Sequence, residues 1–123
     1  LREAQGVNFE QPIRQLLEDC PGARGAAIVD PDGIPVVVSP DDATLETLGA
    51  ELATIVRDLA EAGREFHHGD LEQLAVFAED AVIILTTIAA GYFLVLVLGR
   101  GGLTGKGRFL SRLVRTRLYS EFI

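Results

Sequence analysis

A single cysteine, Cys20, is all the chain has, so no internal disulfide can form. No stretch near the start joins a basic segment, an apolar run and a small-residue cleavage site. These two absences lead us to expect a cytoplasmic protein. Aromatic residues are scarce at 7%, and one sign of charge is short: eleven Lys and Arg stand against eighteen Asp and Glu, for a net −7. The deficit is uneven. Residues 1–98 hold 5 basic and 17 acidic side chains, whereas residues 99–123 hold 6 basic and 1 acidic. So acidic a body repels phosphate backbones, and nucleic acid would have to rest on the C-terminal segment alone, without an evident base-stacking surface, which argues against it as a partner.

The constellations that carry chemistry are also missing. His67 and His68 stand beside Asp70, but adjacent side chains diverge and no second cluster of Cys, His or acidic residues follows at ligand spacing. We therefore expect no metal and read the two histidines as a solvated turn. The carboxylates are scattered, without a pair that singles itself out for acid and base roles. Cys20, next to Pro21, reads as a small packed hydrophobe at a helix end. Gly99 to Gly107 superficially resembles a phosphate-cradling loop, because it contains Gly105-Lys106. That motif needs glycine where Arg100 stands and Ser or Thr where Gly107 stands, so the loop is read as a strand-to-helix connection. No catalytic residue and no cofactor are expected.

What the chain does have is a globular interior. At 123 residues and 48% hydrophobic content it suits one domain over residues 8–123, with residues 1–7 patternless and expected to fray. Asn8 is placed to cap a helix carrying Phe9, Ile13, Leu16, Leu17 and Cys20, with Gln11 where a capping box wants it; Pro21-Gly22 ends it. Ala26–Val29 and Ile34–Val38 read as strands joined by the turn Asp30-Pro31-Asp32-Gly33. Ser39-Pro40-Asp41-Asp42 looks like a helix start with a capping hydroxyl, and a long helix runs on to about Arg64. Along it Leu45, Leu48, Leu52, Ile55, Leu59 and Ala62 repeat with coiled-coil spacing. Beside them runs a slimmer line, Gly49, Ala53, Val56, Ala60 and Gly63. Two apolar lines suggest that a sheet takes one and a second helix the other, although a single wide core-facing stripe would look the same.

Leu71–Ala78 alternates as a strand does. Ala81 to Leu98 is uncharged over eighteen residues and long enough to span a membrane. Thr86-Thr87 and the break Ala89-Ala90-Gly91 divide it instead into two buried strands, and membrane insertion is rejected on that ground. A last helix from Arg108 is expected to turn Phe109, Leu110, Leu113, Val114, Leu118 and Phe122 inward, with Arg108, Arg112 and Arg115 outside.

The residues from Pro21-Gly22 through Ala26-Ala27-Ile28-Val29-Asp30 to Asp32-Gly33-Ile34-Pro35 resemble the opening hairpin of the Roadblock (dynein light chain) family. Gly91-Tyr92-Phe93-Leu94-Val95-Leu96 resembles its last strand, and Gly105 with Arg108-Phe109 the start of its final helix. The likeness covers about residues 9–120. It implies an α/β domain of α+β type, profilin-like, with order α-β-β-α-β-β-β-α: a five-stranded antiparallel sheet with the long helix on one face and the others opposite. It also implies a homodimer joined by third strands and paired central helices, which would place Leu45, Leu48, Leu52, Ile55, Leu59, Leu74 and Val76 at the interface. Bacterial relatives of the gliding-motility regulator type work with a small Ras-like GTPase. By that resemblance Gly49, Ala53, Val56 and Ala60 would let such a partner approach closely. A small-molecule sensor is the alternative, and it needs a roomy pocket that the aliphatic strands leave little space for; a bare scaffold of a signalling complex reads the same as the adaptor.

Overall fold

The computed structural model describes residues 8–122, so the segment expected to fray lies outside the described residues. Helix α1 (Glu10–Asp19) begins where Asn8 Oδ1 accepts the backbone N–H groups of Glu10 and Gln11, at 3.1 and 3.3 Å. Gln11 makes a tertiary tie, its Oε1 accepting from an Arg117 guanidinium at 2.6 Å. Strands β1 (Ala23–Val29) and β2 (Pro35–Ser39) follow. Their turn closes as the residue types require: Gly33 N–H donates to Asp30 O, Asp30 Oδ1 accepts from the N–H groups of Asp32 and Ile34, and Gly33 takes φ +85°.

Helix α2 (Ala43–Glu65) corrects one reading. Its cap is Asp42, whose Oδ1 accepts from Thr44 N at 2.8 Å, and not Ser39. Ser39 belongs to β2, paired with Ala26, so its hydroxyl sits too early in the chain to cap the helix. Strand β3 (Gln73–Phe77) is shorter than the alternation suggests, and β4 (Ala81–Thr87) and β5 (Phe93–Gly99) form the hairpin drawn from the uncharged run. Among the described residues no helix is long and apolar enough to cross a membrane. Helix α3 (Thr104–Tyr119) ends in a 3-10 turn, Ser120–Phe122.

The five strands form one antiparallel sheet in the order β2-β1-β5-β4-β3. Alternation along the central strands sends Ala27, Val29, Leu85, Phe93 and Val95 to one face, where Leu45, Leu52 and Val56 of α2 meet them. Ile28, Ile84, Leu94, Leu96 and Leu98 go to the other, against Ile13 and Leu16 of α1 and Val114 and Leu118 of α3. Each fully buried aliphatic side chain contributes about 1.5–3 kcal/mol of transfer free energy, so these two layers hold the fold.

The glycine-dense connection has a packing role. The Cα of Gly102 comes within 2.6 Å of where a Cβ on Gly22 would sit, and Gly99 N–H donates to Gly22 O, so the two backbones cross without side chains between them. Helix α3 also differs from expectation. Gly107, Ser111, Val114 and Leu118 face the sheet, because a glycine at 107 lets the helix settle onto Ile84, Leu96 and Leu98. That close seat rotates Phe109 and Leu113 outward, where both are exposed.

Candidate functional site

Helix α2 lies mainly over β1 and β2, and its cover of the same face thins toward β3, from Leu85 at 2% exposed to Val76 at 38%. The floor of this thinly covered part consists of Leu74, Ile83 and Val97, half-buried, and Val76. Its wall is the flank of α2 that carries half-buried Leu48 with Ile55 and Leu59, which are 47% and 41% exposed. Its far boundary is the free edge of β3, uncharged from Gln73 to Phe77. An unpaired strand edge ordinarily carries charge, proline or a cover. The opposite edge, β2, begins with Pro35 and has α1 and α2 against it. The β3 side thus joins an apolar helix flank to a proline-free strand edge in one apolar corner, whereas the β2 edge carries Pro35 beside its exposed Ile34 and Val36.

The expected interface residues divide by depth. Leu48, Ile55, Leu59, Leu74 and Val76 border this corner; Leu45 and Leu52 are 7% and 6% exposed and belong to the core under α2. The slim line goes the other way from its reading as a partner surface. Gly49, Ala53 and Val56 are buried against the sheet, and a Cβ on Gly49 would lie 2.9 Å from Val29 Cγ2. Ala60 is half-buried and borders a cleft at the end of the sheet. The physical reason is close approach: small residues let α2 lie down on the strands, so of the bulkier line Leu45 and Leu52 pack inward while Leu48, Ile55 and Leu59 are tilted aside. The same spacing carries both meanings, and only the size difference between the two lines distinguishes them. With the slim line buried, the outward ridge of α2 is Ala50, Thr54, Asp58 and Glu61, all exposed, which the sequence reading does not single out.

Nothing chemically reactive converges here. Cys20 is buried, and burial pushes its thiol above the ordinary value of 9.0, with Lys106 opposing in part, so it stays protonated near neutral pH. His67 and His68 are exposed in the turn after α2, and among the described residues no three metal-ligating side chains come together.

The architecture is a five-stranded antiparallel sheet between helices, with part of one face exposed beside the β3 edge. The family model of the Roadblock/LC7 domain matches residues 11–98, and the chain belongs to that family of non-catalytic regulatory domains. A Roadblock/LC7 domain from Streptomyces avermitilis superposes with a TM-score of 0.83 at 17% identity, covering 93% of this chain and 97% of that one. The gliding protein MglB from Thermus thermophilus gives 0.80 at 17% identity, over 91% and 86%. MglC from Myxococcus xanthus gives 0.68 at 25% identity, over 94% and 99%. MglB has also been solved in a tetrameric arrangement. A search of curated protein sequences finds no match.

Proposed function

We propose that this chain is a homodimeric regulatory adaptor that binds a small Ras-like GTPase. The observation that carries the reading is the apolar corner. Its strand edge and its helix flank lie side by side, so a second copy related by a two-fold axis closes both at once. Antiparallel pairing of β3 with β3 would extend the sheet to two domains, and the partner's α2 would cover Leu74, Val76 and Ile83 beside Ile55 and Leu59. One patch satisfying itself in this way is the signature of an isologous interface.

Pairing would set two α2 ridges next to each other, each presenting Ala50, Thr54, Asp58 and Glu61 to solvent. We place the GTPase on that combined ridge, with small residues admitting its backbone and the acids steering its basic side chains. The adaptor acts by holding the partner's mobile segments and contributes no reacting group. Calorimetric titration with Ras-like GTPases of the source organism, loaded with GTP or GDP, tests this. The expected result is saturable binding of at least one, lost by tenfold or more in Asp58→Lys with Glu61→Lys while the adaptor's own mass is unchanged. Binding that ignores this charge reversal, or no binding to any of them, overturns it.

A further inference from the structure

At the end of the sheet, on the flank of α2 away from Ile55 and Leu59, a cleft of about 520 Å³ opens between α2, the β4-β5 turn and α3. Its apolar lining includes Val56, Ala60 and Phe93, and three arginines line it, Arg57, Arg64 and Arg115. In a chain of net charge −7, three arginines converging on one concavity is a local reversal of sign. One acid, Asp70, also lines the cleft, so three cations stand against one lining carboxylate. Arg64 stands 4.0 Å from Asp70, both side chains well exposed, and Arg115 stands 3.7 Å from Glu72. Arg57 has a protein acceptor, Pro31 O, at 3.3 Å. Arg115 Nε is buried with no hydrogen-bond partner, so one strong donor has lost water and gained nothing in return.

From these features we propose that the cleft binds a small organic anion, a phosphate or carboxylate group carried on an apolar body. The planar forks of the arginines match the oxygens of either group. The body of the ligand rests on Val56, Ala60 and Phe93, and the volume lies within the range of small-ligand sites. Both cores are filled by apolar side chains, so the room for a ligand lies at the end of the sheet. The site does not depend on dimerisation, since it uses the other flank of α2.

The test is a backbone-amide NMR titration of the whole chain with phenyl phosphate and, in parallel, benzoate, phenol and inorganic phosphate. The proposal expects saturable shifts centred on Val56–Arg64, Ala89–Phe93 and Arg115 with one of the two aromatic anions. It expects phenol and inorganic phosphate each to bind at least tenfold more weakly, and added salt to weaken binding. Arg57→Gln with Arg64→Gln, both at solvent-exposed positions, should cost tenfold or more while the spectrum stays folded, and Arg115→Gln should do the same. The proposal is overturned if neither aromatic anion saturates at millimolar concentration, if phenol binds equally, or if the shifts follow the Arg108 and Arg112 face instead.

Discussion

At the scale of single residues, local chemistry explains most of what is seen and predicts how it responds to change. The turn joining β4 to β5 puts Ala90 at φ 54° and Gly91 at φ 83°, with Tyr92 N–H donating to Ala89 O, the geometry of a type I′ turn. Alanine pays a steric penalty there that asparagine largely avoids, and Ala90 is exposed. Ala90→Asn should therefore stabilise the fold by about 0.5–1 kcal/mol, read from urea unfolding. Cys20 predicts a pH dependence. Its folded-state thiol titrates above its ordinary value of 9.0, so the folded state holds the proton longer than the unfolded one. The unfolded chain gives up that proton first, so the stability of the fold falls as pH rises from the ordinary value through the raised one. The alkaline fall in stability should be shallower in Cys20→Ala, comparing slopes between proteins; equal slopes would remove Cys20 from the account. The break at Ala89-Ala90-Gly91 is readable in the sequence because small residues and glycine mark turns. The sequence points to Ser39 rather than Asp42 as the cap because both types cap helices, and only strand pairing shows which one is already engaged.

Among the elements, α2 and α3 show what periodicity settles and what it leaves open. The period fixes that each is a helix; it does not fix which of two apolar lines meets the sheet. In α3 the decisive residue is Gly107, where an added Cβ would come within 3.1 Å of both Ile84 and Leu98. A glycine at a helix start reads as a weakness in sequence, but here it sets the distance between helix and sheet, and so which side chains face outward. Gly107→Leu should cost about 1–3 kcal/mol through overpacking. Gly105→Ala, on the same helix with open space around it, should be neutral or stabilising by up to about 1 kcal/mol. Equal effects at the two positions, measured by thermal or urea unfolding, would contradict the close seat. The arginines of α3 read as an outer face in the sequence, and Arg108 and Arg112 are exposed while donating to Gln73 Oε1, at 3.0 and 3.2 Å, which ties the helix to the start of β3; Arg115 departs from that reading and is half-buried.

For the whole molecule, the order of elements and the burial of the uncharged run are legible because alternation, turn residues and length agree with one another. The interaction site is legible only in part. Its helix line and its strand stand out in the sequence, but the thinly covered face beside β3 depends on where α2 lies across five strands, a tertiary placement that no local pattern encodes. The central claim is that a second copy covers this part of the face. Solution mass by light scattering, on the wild type and on Ile55→Asp with Leu59→Asp, tests it most directly, because both side chains are exposed and the fold does not need them. The account predicts a wild type at twice the 13.2 kDa chain mass and a variant at the chain mass with unchanged circular dichroism. A monomeric wild type, or a dimer indifferent to both aspartates, would contradict it.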